Sequence, residues 1–230
     1  MGAKILISDK LADEGIKILK DVKEFEVDCK FGIKPGELKN VIKNYDALIV
    51  RSGTEVTADI IEAADKLKYI GRAGVGLDNV DLRAATKKGI VAMNTPGGNT
   101  TSTAEHTMSL ILALARSIPQ AHASLKAGKW ERSKFMGVEL YGKNLGIIGL
   151  GRIGSMVAKM ARSFSMKIMA FDPFISAEVA EKNEIELVEL KDLIRRADFI
   201  TVHTPKSTET KSLISEKEFA MMKKGVRIVN

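Results

Sequence analysis

The chain has 230 residues, 45% of them hydrophobic and 28% charged, with a formal net charge of +7. That length holds one large or two modest domains with real cores, and the composition is ordinary for a globular protein. No apolar run reaches the ~18 residues a membrane span needs, and the opening Met1–Asp9 turns charged too soon for a signal peptide. A single Cys29 cannot form an internal disulfide, which points to a reducing, cytoplasmic setting. The basic residues are interspersed with acids, as in Arg195-Arg196-Ala197-Asp198, and aromatic residues make up only 5%. This argues against nucleic-acid and membrane partners and for a solvated surface that attracts small anions.

In chain order, Ile5–Ile7 reads as a strand, then a helix over Leu11–Leu19 with Asp13 and Glu14 in its first turn. Phe25–Cys29 is a strand, Pro35 opens a helix over Glu37–Ile42, and Ala47–Val50 is a buried strand. A helix near Ala58–Ala64, a strand at Tyr69–Gly71, a helix at Leu82–Lys88 and a strand at Ile90–Met93 complete the first series. Strands alternating with helices imply a parallel sheet covered on both faces.

The turn-rich Asn94-Thr95-Pro96-Gly97-Gly98-Asn99 ends that series. Helices follow at Ala104–Arg116 and from Pro119 to about Gly128, then strands near Val138–Tyr141, at Asn144–Ile148, Lys167–Phe171, Phe199–Val202 and Val226–Val229. The reading is two α/β domains, 1–95 and 96–230.

The most informative stretch is Gly149-Leu150-Gly151-Arg152-Ile153-Gly154, because its context is that of a dinucleotide site. An apolar strand precedes it, a helix over Ser155–Phe164 follows, and Asp172 ends the next strand. Gly149 permits the tight turn, Gly151 lets backbone approach a pyrophosphate, and Gly154 lets helix and strand pack closely. A carboxylate at Asp172 suits the ribose hydroxyls and repels a 2′-phosphate, so the expected cofactor is NAD rather than NADP. A plain turn aspartate before Pro173 is the bland alternative.

With His203-Thr204-Pro205 and Asn94–Asn99, this fingerprint resembles the D-2-hydroxyacid dehydrogenases. Within that family, Arg51–Thr54, Arg72–Asp81 and Gly128–Arg132 are similar to the phosphoglycerate dehydrogenases in particular. The resemblance runs over the whole chain in order. It implies a flavodoxin-like substrate domain, a Rossmann-like NAD-binding domain, and substrate between the two. It further implies NAD-dependent oxidation of D-3-phosphoglycerate to 3-phosphohydroxypyruvate, the first step of serine biosynthesis. A glyoxylate or hydroxypyruvate reductase of the same family is the alternative, as is a non-catalytic NAD-binding scaffold like the related corepressors.

The resemblance assigns substrate binding to Arg51, Ser52, Arg72, Asn99 and, more weakly, Arg132, which could equally be a structural ion pair. Arginine suits such a site because its planar fork donates two parallel hydrogen bonds to carboxylate or phosphate. It assigns cofactor contacts to Val75, Thr103, Gly149, Gly151, Arg152, Ile153, Gly154, Asp172 and Thr204. A homodimer or higher oligomer is expected through the second domain, using the helices of 104–128 and the strand near Val138–Tyr141. His106 and His122 read as core or interface residues, His203 as part of the cofactor wall, and the histidine spacing matches no metal site.

In this family the catalytic arginine, glutamate and histidine follow the fifth Rossmann strand, and this sequence stops at Asn230. Arg227 lies within the strand and does not match, so no residue is assigned as catalytic. The expectation is an NAD-binding domain incomplete at its C-terminal end, with no turnover by the 230-residue chain alone.

Overall fold

The computed structural model describes residues 2–205, 207 and 209–230. The chain divides into two compact units, Met1–Asn99 and Thr100–Asn230. Unit 1 alternates β1 (Ala3–Ile7), α1 (Asp13–Lys20), β2 (Phe25–Cys29), α2 (Pro35–Val41), β3 (Ala47–Val50), α3 (Ala58–Glu62), β4 (Tyr69–Arg72), α4 (Leu82–Lys87) and β5 (Val91–Asn94). Its five strands pair in parallel in the order β2-β1-β3-β4-β5, the doubly wound order of flavodoxin-like folds.

Alternation along each strand sends Leu6, Leu48 and Ile70 to one face, where they pack with Leu38, Ile60, Ile61 and Ala85 from α2, α3 and α4 and with Ile42 from the 3-10 turn that follows α2. Burying a leucine or isoleucine contributes roughly 1.5–3 kcal/mol, which makes this face the main source of cohesion. The opposite face is only partly covered. Ile5, Ala47, Ile49, Tyr69, Gly71 and Met93 line an open hollow of about 780 Å³ there. The expectation of a sheet sheltered on both faces is therefore corrected for unit 1: three of its four helices share one side.

Unit 2 begins with α5 (Thr100–Arg116) and α6 (Ile118–Lys126), separated by Ser117 in the left-handed region at φ 52. There follow β6 (Asn144–Ile148), α7 (Arg152–Arg162), β7 (Lys167–Phe171), α8 (Ala177–Lys182), β8 (Glu186–Leu187), α9 (Leu190–Arg196), β9 (Phe199–Val202), α10 (Glu216–Met221) and β10 (Arg227–Val229). The sheet order is β10-β9-β6-β7-β8, all parallel, which is Rossmann topology with the switch point between β6 and β9. Leu145, Ile147, Ile168 and Phe199 face α5 and α7, while Ile148, Met169 and Ile200 face α9.

Two local expectations change. Val138–Tyr141 is not a strand: its Val138 N–H donates to the Ala115 carbonyl at the end of α5 (2.8 Å), so the segment docks on a helix terminus. His106 and His122 are exposed on α5 and α6, so of the core and interface readings the core one is corrected.

Candidate functional site: a dinucleotide cradle and an arginine-bearing strand edge

In unit 2, three adjacent parallel strands end in register, with Ile148 beside both Phe171 and Val202. The next residues are Gly149, Asp172 and His203, so the C-terminal edge of the sheet gathers them without long-range accident. The Gly149 N–H donates to the Phe171 carbonyl (2.9 Å) and the His203 N–H to the Ile148 carbonyl (2.8 Å).

The glycines of the fingerprint do different jobs. Gly149 has φ +92, and a Cβ there would lie 2.9 Å from the His203 carbonyl carbon and 3.0 Å from the Thr204 nitrogen. A Cβ on Gly154 would overlap the Gly149 carbonyl oxygen. Gly151 differs: a Cβ would meet nothing within 4 Å, although its backbone caps α7. The protein itself gives no packing reason for glycine at 151. Open space over a helix start, where first-turn N–H groups lack intrahelical acceptors, is what a pyrophosphate fills. Arg152 and Ile153 supply the first of those N–H groups, and the Ser155 hydroxyl closes the turn onto the Leu150 carbonyl (3.0 Å).

Asp172 is already engaged by backbone: Oδ2 accepts from the Leu150 N–H (2.7 Å) and Oδ1 from the Phe174 N–H (2.9 Å). These bonds fix its orientation, and each carboxylate oxygen keeps a second lone pair for a ribose hydroxyl. Thr204 is half-buried against Gly149. The His203 Nε2 lies 2.9 Å from the buried Thr201 hydroxyl, and burial lowers the imidazole's pKa below its usual range. Thr103 is half-buried on α5, with its carbonyl taken by the Thr107 hydroxyl (2.9 Å).

In unit 1 the same edge logic holds. Val50, Arg72 and Asn94 are in register at the ends of β3, β4 and β5, and Arg51 and Ser52 are exposed immediately beyond β3. The Arg51 guanidinium leans on the Lys10 carbonyl (3.3 Å). Arg72 is turned inward: its side chain is 12% exposed, its Nη1 donates to the Gly76 carbonyl (2.5 Å), and its Nε is buried without a partner among the described residues. Val75 is half-buried in that loop, its carbonyl held by the Asn94 amide (2.5 Å), and Asn99 is exposed.

Arg132, in unit 2, is exposed at the head of a short 3-10 turn. The ion pair expected as its structural alternative is made instead by Lys134, which with the Ser124 hydroxyl engages Glu131. Two residues that sequence reasoning passed over, Asp9 and Asn79, hold the Arg51–Thr54 loop. Asp9 could have been found by a slightly wider form of the rule that singled out Arg51: it lies two residues past the end of β1.

Among the described residues no helix is long and apolar enough to cross a membrane, and no group of three or more His, Cys, Asp or Glu could hold a metal ion.

Comparison with known proteins places this geometry. Residues 108–230 match the model described as D-isomer specific 2-hydroxyacid dehydrogenase, NAD binding domain. The chain is 54% identical over 228 residues to the D-3-phosphoglycerate dehydrogenase of Methanocaldococcus jannaschii, covering 99% of this chain and 43% of that protein. It is 53% identical over 227 residues to the human D-3-phosphoglycerate dehydrogenase, covering 99% of this chain and 42% of that one. The chain thus spans less than half the length of these relatives.

Among solved structures, the NAD-bound 3-phosphoglycerate dehydrogenase of Entamoeba histolytica is similar with a TM-score of 0.82 at 31% identity, over 99% of this chain and 71% of that one. The Aquifex aeolicus D-lactate dehydrogenase complexed with NAD and lactic acid gives a TM-score of 0.88 at 27% identity, over 99% and 68%. The chain belongs to the D-isomer specific 2-hydroxyacid dehydrogenase family, and its second unit carries that family's NAD-binding domain.

Proposed function

We propose that this protein takes part in the NAD-dependent oxidation of D-3-phosphoglycerate to 3-phosphohydroxypyruvate, the first step of serine biosynthesis. What carries the reading is a dinucleotide cradle in one unit together with a strand edge in the other that presents Arg51 and Ser52, with Arg72 turned into its own loop beside them. The identity of 50–54% to phosphoglycerate dehydrogenases of archaea and a cyanobacterium supports the phosphorylated substrate over an unphosphorylated one.

NAD, when bound, supplies the hydride acceptor. The residues of this chain would hold and orient it: the N–H groups of Gly151, Arg152 and Ile153 on the pyrophosphate, Asp172 on the adenosine ribose, and Thr204 along the cofactor wall. Exposed Arg51 and Ser52 would bind the anionic ends of the substrate by charge-assisted hydrogen bonds, with Asn99 as a neutral donor and Arg132 as a secondary cation. A preference for NAD over NADP follows from the carboxylate of Asp172.

A homodimer through unit 2 belongs to the same proposal. Leu114, Ile118, Leu125, Met136, Tyr141 and Phe164 are exposed there, and Leu112, Ala115, Val138 and Leu140 line a hollow of about 480 Å³. Apolar surface of that kind marks association sites. The exposed thiol of Cys29 suits a cytoplasmic setting.

The experiment is calorimetric titration of this chain with NADH, NADPH, D-3-phosphoglycerate and D-glycerate. Expected are saturable NADH binding, much weaker NADPH binding, and D-3-phosphoglycerate bound more tightly than D-glycerate. Equal affinity for the last two would remove the phosphate from the reading.

A further inference from the structure

The loop Arg51–Thr54 leaves β3 as four residues that must present a cation and a hydroxyl in fixed positions. Its two ends are held by side chains from the loops that follow β1 and β4. One oxygen of Asp9, Oδ2, accepts both the Arg51 N–H (2.6 Å) and the Thr54 N–H (3.1 Å). The Nδ2 of Asn79 donates to the Arg51 carbonyl and to the Thr54 carbonyl, both at 2.6 Å. The main-chain N–H and C=O of both loop ends are therefore satisfied by the same two residues, one acceptor and one donor. Two carbonyl acceptors fix which way the Asn79 amide points, since only its NH2 can donate.

The anchors are themselves rigid. Ser8, fully buried, donates its N–H to the Ile49 carbonyl (3.1 Å), and its hydroxyl lies 2.9 Å from that of Thr54. Asn79 is stitched down by the Val56 N–H on its carbonyl (2.8 Å), and Asp81 returns its N–H to the Val56 carbonyl (2.9 Å). Gly53 lets the carboxylate close in: a Cβ there would sit 2.7 Å from Asp9 Oδ1.

Two features separate this arrangement from ordinary loop stability. A carboxylate beside an anion-binding loop repels the anion, so its presence needs another purpose. Asn79 Oδ1 is buried without a partner among the described residues, a cost that an aliphatic side chain would avoid. Both are tolerated where the loop geometry itself is what matters.

We propose that Asp9 and Asn79 are positioning residues, which clamp both ends of the Arg51–Thr54 loop so that Arg51 and Ser52 are preorganised for a phosphorylated or carboxylated substrate. The inference rests on the substrate reading given under Proposed function. Preorganisation raises affinity because the ordering of the loop is not charged against binding.

The test titrates D-3-phosphoglycerate and NADH into wild type, Asp9→Ala, Asp9→Asn, Asn79→Ala and Arg51→Ala, with amide hydrogen exchange read at Arg51 and Thr54. Asp9→Ala and Asn79→Ala are each expected to weaken D-3-phosphoglycerate about tenfold, which is ~1.4 kcal/mol. Exchange at the two loop amides should quicken in Asp9→Ala while NADH affinity holds. Asp9→Asn, which keeps an acceptor in place, should restore most of the affinity. Wild-type affinity in Asp9→Ala and Asn79→Ala, beside a weakened Arg51→Ala, overturns the clamp and leaves the substrate reading standing. Unchanged affinity in Arg51→Ala overturns the substrate reading and this inference with it. If Asp9→Ala also loses NADH, Asn79→Ala decides in its place.

Discussion

Substituting alanine at each of the three fingerprint glycines separates structure from ligand binding within six residues. Gly149 has φ +92, so alanine there incurs the left-handed penalty of about 1–2 kcal/mol. Its Cβ also crowds the His203–Thr204 backbone at 2.9–3.0 Å, and overpacking of that kind costs about 1–3 kcal/mol. The sum is roughly 2–5 kcal/mol, and at ~2–4 °C per kcal/mol the melting temperature should fall by at least about 4 °C. Gly154→Ala should behave alike, because the obstructing atom is backbone and cannot swing away. Gly151→Ala should not. With φ −70 and no atom within 4 Å of the new Cβ, its stability should stay within ~0.5 kcal/mol of wild type. Its NADH affinity should nevertheless drop tenfold or more, a loss of about 1.4 kcal/mol at least, because the methyl group occupies the approach of the pyrophosphate. Differential scanning calorimetry and NADH titration on the three variants provide the readout. Wild-type NADH affinity in a folded Gly151→Ala would refute the assignment of that open space to a dinucleotide.

Other outcomes follow from single contacts. Asp172→Ala removes the carboxylate proposed to meet the ribose and frees the Leu150 N–H, so the NADH-to-NADPH affinity ratio should fall about tenfold; an unchanged ratio in parallel titrations counts against cofactor selection by Asp172. Burial lowers the pKa of His203 from 6.5. The unfolded chain therefore binds the proton first, and the associated stability, full above pH ~6.5, is lost as the pH falls through the lower folded value. Urea melts at pH 7.5 and 5.5 should show this limb in wild type and a flatter one in His203→Gln. Tyr45 donates to Asp28 (2.8 Å), and burial followed by that bond pushes its pKa up to about 12. Because the raised value favours the neutral phenol in the fold, its share of stability persists below pH ~10 and is lost as the pH rises towards 12. Tyr45→Phe should abolish that alkaline limb and, by removing the main hydrogen bond that holds Asp28 low, shrink the acid limb as well. A pH–stability profile identical to wild type would contradict both assignments.

The sequence by itself determined what depends on local pattern. Phe25–Cys29, Ala47–Val50, Asn144–Ile148, Lys167–Phe171 and Phe199–Val202 were legible as strands to the residue, the last four because buried parallel strands are short apolar runs bounded by polar turns, and the first, an edge strand, by its alternation of apolar and charged residues. The Gly149–Gly154 fingerprint was legible because glycine is demanded there by backbone geometry. Less was readable where the signal is weak or non-local. α8, β8 and α9 lie in the charged stretch after Pro173, and the two-residue β8 exists only by pairing with β7. α10 carries a reciprocal Ser215–Glu218 capping box, a local cue that was present and unread. α5 starts at Thr100, four residues before its apolar periodicity does, because the hydroxyls of a Thr–Thr–Ser–Thr run imitate a loop until the helix packs. Only the tertiary structure decided strand order, since neighbouring strands come from residues tens of positions apart. It alone showed that Arg72 turns into its own loop, that Val138–Tyr141 docks on a helix end instead of pairing, and that Asp9 and Asn79 reach the Arg51 loop. Apart from the four-residue reach of Arg72, those bonds join residues 23–45 positions apart, a separation at which composition and periodicity carry no information and only the closed fold does.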